Sequence, residues 1–97
     1  MVKNGWELLD LRVLCAVARR SSFTGAAIDL GISVAYVAKR IAHLETVLGA
    51  PLFLRTTRRV SITPSGQTVY RWARKVLEAA EELDQAVAQV KDSPVGT

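Results

Sequence analysis

Two serines and two glycines govern the middle of this chain. Ser22 stands before the run FTGAAIDL, and Gly31 follows it. Only Ile32 separates that glycine from Ser33, which opens VAYVAKRIAHLETVL before Gly49. A serine side chain accepts from the backbone N–H groups that a helix start leaves free. A glycine takes the left-handed conformation that ends a helix. The spacing therefore predicts two helices joined by a turn so short that they must meet at a sharp angle. Ala26 and Ala27 permit close approach, and Ile32 with Val37 fills the angle between the helices. This is the helix-turn-helix arrangement, whose second helix enters the major groove of DNA.

That second helix has two faces. Val37, Ile41, Leu44 and Leu48 fall at i, i+4, i+7 and i+11 and predict one buried face. Ala35, Tyr36, Lys39, Arg40 and His43 make the other, which is basic and carries one aromatic ring. Upstream, Leu8, Leu11, Leu14 or Cys15, and Ala18 repeat at helical spacing, predicting a helix over 6–20 that ends near Arg20. The cations Arg19 and Arg20 suit its C-terminus.

Downstream of Ala50 and Pro51, the stretches LFLR (52–55) and RVSIT (59–63) predict a small hairpin. Its tip carries Arg55, Arg58 and Arg59. A hairpin here is a wing, able to lie along phosphates or enter a narrow minor groove. Thr63 and Pro64 then supply an N-cap and a first helical residue for a long helix from about 64 to 91. In it Val69, Val76, Leu83 and Val90 recur every seven residues, with Ala73, Ala80 and Val87 four residues after the first three. This seam suits pairing with a second helix. A helix of that length, ~42 Å at 1.5 Å per residue, exceeds what the preceding head can cover, so the seam predicts a homodimer. Trp72 and Leu77 lie off the seam and are expected to pack on the head or on a partner's first helix. Residues 92–97, DSPVGT, read as linker.

Composition decides among function classes. The chain has 97 residues, the length of one domain, with 49% apolar and 23% charged residues, which predicts a folded chain and not a disordered one. Net charge is +4. Residues 1–60 hold nine basic and four acidic side chains, whereas 61–97 hold four and five, so the basic character lies in the head. A basic head predicts a polyanionic partner. No apolar run reaches membrane-spanning length, and the N-terminus lacks the apolar core of a signal peptide. Cys15 is the only cysteine and His43 the only histidine. A disulfide within the chain is therefore impossible, a zinc site is not expected, and a reducing cytoplasm is the natural setting. Cys15 is predicted to be a core residue, and His43 to lie on the surface or beside phosphate. Neither a nucleophile with its base nor a glycine-rich phosphate loop is evident, so neither an enzyme nor a cofactor is expected. Glu78, Glu81, Glu82 and Asp84 make the long helix acidic, the wrong sign for a membrane surface. The alternative to DNA binding is a non-enzymatic coiled-coil interaction module with a basic head. It accounts for 64–91 but not for the turn and hairpin.

The stretch SSFTGAAIDLGISVAYVAKRIAHLETVLGAPLFLRTTRRVSITPSG resembles the N-terminal region of LysR-type transcriptional regulators. The motifs are SF before the small-residue helix, AA-x-x-LG-I-S, I-x-x-LE with LG, LF-x-R-x-x-R at the wing, and IT-x-x-G at the start of the long helix. The likeness runs from about Leu11 to Val90. It implies a mainly α fold, a winged helix-turn-helix over 1–63 followed by a long dimerising linker helix over 64–91. Residues 92–97 would be a hinge toward an effector-binding domain absent from these 97 residues. It also implies sequence-specific binding of double-stranded DNA at promoter inverted repeats, as a homodimer, with tetramers possible in the full-length protein. A small-molecule effector would act only through the missing C-terminal domain.

Carried over position by position, the base-side residues are Val34, Ala35, Tyr36 and Lys39. The phosphate or wing residues are Ser22, Thr24, Ser33, Arg40, Arg55, Arg58 and Arg59, with Arg58 at the family's wing arginine. The dimerisation residues are Val69, Ala73, Val76, Ala80, Leu83, Val87 and Val90. Many family members carry glutamine at the position of Val34, a hydroxyl at that of Ala38, and a small residue or proline at that of Tyr36. Val34 and Ala35 can touch a thymine methyl but cannot hydrogen-bond a base edge, whereas Lys39 can donate to guanine.

Overall fold

In the computed structural model, which describes residues 5–56 and 59–92, the elements follow as three helices, a hairpin and a long helix. They are α1 (Leu8–Arg20), α2 (Phe23–Leu30), α3 (Val34–Leu48), β1 (Phe53–Arg55), β2 (Val60–Ile62) and α4 (Pro64–Asp92). Apart from the start of α1, which lies at Leu8 and not at residue 6, the helix ends are close to where the sequence places them. Ser22 Oγ accepts from Gly25 N at 2.9 Å, and Ser33 Oγ accepts from Tyr36 N at 3.0 Å. Gly31 and Gly49 end α2 and α3 at φ +68° and +73°. The end of α1 differs from this pattern. Ser21 takes the left-handed conformation there, at φ +48°, and its N–H bonds the Val17 carbonyl. No glycine marks that turn, so the sequence locates it only by the run of cations before it.

The core lies where α1, α2 and α3 converge. Leu11, Val13, Leu14, Cys15, Ala16 and Val17 of α1 meet Ala26 and Ala27 of α2, and Val37, Ile41 and Leu44 of α3. Cys15 is buried there as expected. Leu48 departs from the predicted face: it is 40% exposed.

The hairpin is antiparallel, pairing Phe53 with Ile62 and Arg55 with Val60. Glu45 anchors it to α3 by accepting from Leu52 N at 2.8 Å and Phe53 N at 3.3 Å. Thr63 joins hairpin to α4. Its hydroxyl donates to the Pro51 carbonyl at 2.7 Å and accepts from Gly66 N at 2.9 Å. Gly66 is required by close approach, since a Cβ there would lie 2.2 Å from the Leu52 carbonyl oxygen.

The seam of α4 is divided. Ala73 is buried in its own chain, and Val69, Val76 and Leu77 pack half-buried on the same core. The first half of the seam thus packs on its own head, beside α1. Ala80 is half-buried, whereas every residue from Glu81 to Asp92 is exposed, including Leu83 at 62% and Val90 at 74%. Trp72 is largely exposed on the head side of the helix, with Lys75 Nζ 4.3 Å from its ring centre. The molecule measures 60 × 32 × 20 Å, and α4 supplies its long axis. No described helix is long and apolar enough to cross a membrane.

Candidate nucleic-acid interface

The first turn of α3 is held rigid at its start and left open outward. The Ser33 cap fixes it, and Val37 anchors the same turn in the core. Val34, Ala35, Tyr36 and Lys39 are all exposed, and the turn contains no acid. A helix N-terminus of this kind carries partial positive charge and free N–H groups. All four predicted base-side residues therefore share one accessible stretch of helix.

The wing and α2 are brought together by Phe23, the first residue of α2. Its ring meets Phe53 of β1 edge to face, with centres 6.4 Å apart and planes at 80°. The Arg55 guanidinium lies over the Phe23 ring, 4.8 Å from its centre. Arg55 is exposed, and so is Thr24 in the adjoining helical turn. Ser22 is half-buried, with its hydroxyl oxygen engaged by the cap. A cation, a helix N-terminus and two hydroxyls thus converge, as a phosphate site requires. Arg59 is exposed where the hairpin turns, its N–H bonding Thr56 Oγ1 at 3.1 Å. Arg58 lies outside the described residues.

Two residues of the basic face are committed elsewhere. Arg40, expected at phosphate, turns toward the core, and its side chain is only 16% exposed. Its Nε donates to Oδ1 of Asp10, which is fully buried in α1. That hydrogen bond raises the Arg40 pKa above its usual value, outweighing desolvation. The other Asp10 oxygen, Oδ2, accepts from Glu7 N at 3.0 Å and caps α1. Asp10 would otherwise be a buried charge without compensation, so Arg40 is needed by the fold. His43 is exposed, and its Nε2–H donates to the Gly5 carbonyl at 2.8 Å, fastening the N-terminal segment to α3.

Reasoning from sequence missed Asp10 and Glu45 as fastenings. Glu7 and Asp10 stand at the spacing of a capping box, which was the available signal for Asp10. Nothing local marks Glu45, whose partners lie seven and eight residues away across a turn. Arg20 and Asp29 form a further surface pair at 2.6 Å. Among the described residues no group of three His, Cys, Asp or Glu side chains is placed to hold a metal ion.

Comparison with known proteins bears on the same surface. The family model described as "Bacterial regulatory helix-turn-helix protein, lysR family" matches residues 8–67. The HTH-type transcriptional regulator DmlR of Escherichia coli (strain K12) is 45% identical over 94 residues, covering 96% of this chain and 31% of the relative. The HTH-type transcriptional activator TtdR of the same strain is 40% identical over 94 residues, covering 96% and 30%. Among solved structures, the BenM DBD in complex with catB site 1 DNA superposes with a TM-score of 0.86 at 33% identity, over 91% of this chain and 98% of that one. The chain thus spans about 30% of the length of the curated relatives it matches.

Proposed function

The chain belongs to the lysR family of bacterial regulatory helix-turn-helix proteins, and we propose that it binds double-stranded DNA in a sequence-specific manner, as part of a transcriptional regulator of the cytoplasm. The observation that carries this reading is the capped, acid-free and exposed first turn of α3, rigidly joined to an α2 N-terminus on which Arg55 is stacked. The superposition on a DBD–DNA complex supports the same docking. On this proposal the first turn of α3 enters the major groove with Val34, Ala35, Tyr36 and Lys39 toward the bases. Ser22, Thr24, Ser33 and Arg55 take phosphates, and Arg58 and Arg59 follow the wing. Arg40 leaves this set for the reason given above. The family is one of regulators, so the surface recognises a polymer and performs no reaction.

The partner for α4 is a second copy of the chain, through Ala80, Leu83, Val87 and Val90 with the still-open flanks of Val69 and Val76. Charge supports an antiparallel pair. Residues 64–77 carry Arg71, Arg74 and Lys75 and no acid, whereas 78–92 carry five acids and one lysine. A parallel pair sets like charges side by side, and an antiparallel pair sets opposite ones. It also lays the free Leu83, Val87 and Val90 of one chain beside an apolar groove of about 210 Å³ on the other, lined by Trp6, Leu44, Leu48, Val69 and Trp72. Residues 1–63 then form the DNA-reading head and 64–92 the dimerising helix; the hinge expected over 92–97 lies, apart from the helical Asp92, outside the described residues. Effector binding and the association of dimers into tetramers belong to the longer protein that the relatives' length implies.

The test is selection from a random duplex pool with this chain. The expected result is an enriched inverted repeat. Its affinity should fall by about three to five decades between 50 and 200 mM salt, if six to ten phosphates are neutralised. No binding at low salt would overturn the reading in favour of the coiled-coil module.

A further inference from the structure

The exposed end of α3 has almost no hydrogen-bonding equipment. Val34 and Tyr36 are 42% and 37% exposed, and Ala35 is exposed between them, while the core positions of the helix, Val37, Ile41 and Leu44, are buried. Val34 and Ala35 therefore lie outside the buried core. The Ser33 hydroxyl oxygen is engaged in capping. The Tyr36 hydroxyl is the only polar side-chain group in the exposed first turn, and Lys39 lies one turn further on. Base reading by hydrogen bonds is done by amide, guanidinium, ammonium, carboxylate or hydroxyl side chains, and Val34 and Ala35 carry none of these. They present methyl groups.

Resting on the DNA-binding reading above, we propose that Val34 and Ala35 read the 5-methyl groups of pyrimidines in the major groove. The chain then recognises thymine by its methyl group and not by its O4 acceptor. A consequence follows that hydrogen-bonding readers do not share. 5-Methylcytosine carries the same methyl at the same ring carbon and differs at position 4, where an amino donor replaces the carbonyl acceptor. An apolar side chain has no means of telling O4 from N4. Thymine and 5-methylcytosine are equivalent at the contacted positions, and uracil and cytosine, which lack the methyl, are both rejected. The site is thus sensitive to cytosine methylation of its DNA.

The experiment uses this chain and the duplex obtained by selection, read by fluorescence anisotropy. Each half-site thymine is replaced in turn by deoxyuridine, which preserves pairing and removes only the methyl. A contacted methyl should weaken binding about fourfold, the equivalent of one buried methylene, and two in a half-site about fifteenfold. Exchange of that T·A pair for 5-methylcytosine·G should hold affinity within about twofold, and exchange for unmethylated C·G should lose it as deoxyuridine does. Val34→Gln, a surface change away from the core, introduces an amide suited to adenine and should reduce the deoxyuridine penalty. Equal affinity for the thymine and deoxyuridine duplexes, or 5-methylcytosine bound as poorly as cytosine, would overturn methyl reading and leave DNA binding intact. Failure to bind any duplex at low salt would overturn DNA binding itself, and methyl reading with it.

Discussion

Arg40 and Arg55 look alike in the sequence, two arginines on either side of a glycine turn, yet the fold assigns them opposite duties. Arg40 compensates the buried carboxylate of Asp10, and Arg55 stands in solvent above Phe23. Arg40→Ala should therefore destabilise the chain by about 3 kcal/mol or more, the cost of orphaning a buried charge. In urea denaturation the midpoint should drop, while the salt dependence of DNA binding at temperatures where the variant is folded stays unchanged. Arg55→Ala should do the reverse, with the same midpoint and a salt slope shallower by about one. A loss of slope in Arg40→Ala would return that residue to the phosphate set. Cys15 gives a pH prediction. Burial pushes its thiol up from the usual value, and Arg19 and Arg74 pull only part of that back. The folded chain thus favours the neutral thiol. That contribution is complete below the unfolded thiol's pKa and is lost as pH rises through the folded one. Iodoacetamide at pH 8 should label the denatured chain readily and the native chain slowly, and equal rates would contradict the burial. The sequence placed Cys15 in the core correctly because helical periodicity reports burial. It did not reveal the tie of Arg40 to Asp10, because periodicity gives a residue's face and not the direction in which a long side chain bends.

At the scale of elements, every helix end with a serine, threonine or glycine signal was legible, because capping is a local transaction between neighbours. The hairpin was legible for the same reason. What the sequence could not divide was the heptad seam, since Ala73 and Leu83 obey the same repeat and only the position of α1 decides that one is covered and the other free. Leu83→Glu places a charge in the free half alone. In sedimentation at micromolar concentrations it should convert dimers to monomers without altering the thermal stability of the head. An unchanged dimer would refute the pairing. Orientation is measured separately, by a spin label at Val90→Cys in a Cys15→Ser background. With Arg71 to Lys75 of one chain opposite the acids at 78–84 of the other, the pair centres near Leu77. Two labels then lie roughly 35–40 Å apart at 1.5 Å per residue. A parallel pair brings them to about 10 Å, the spacing of adjacent helix axes.

The whole molecule is a head on a rod, and its proportions constrain the DNA it can hold. In the proposed antiparallel dimer, rods centred near Leu77 would separate the starts of their two α4 helices by roughly 40 Å. Each start is fastened to its head through Thr63 and the tight approach at Gly66, so the heads have little freedom to swing. Successive major grooves on one face of a duplex recur every 34–36 Å, about 10 base pairs. The rod therefore matches half-sites about one turn apart. It cannot serve half-sites on opposite faces without breaking the α4 packing or twisting the DNA. Insertion of about 5 base pairs between the half-sites turns one through half a revolution. The dimer should then bind as though only one half-site were present, losing most of its affinity in a titration. Restoring the face with about 10 inserted base pairs should not fully rescue it, because the rod does not lengthen. The monomeric Leu83→Glu chain should be weaker throughout and indifferent to spacing. If the native chain shares that indifference, the two heads are not rigidly coupled through α4. The long helix would then supply only local concentration, and inverted-repeat specificity would have to come from each head separately.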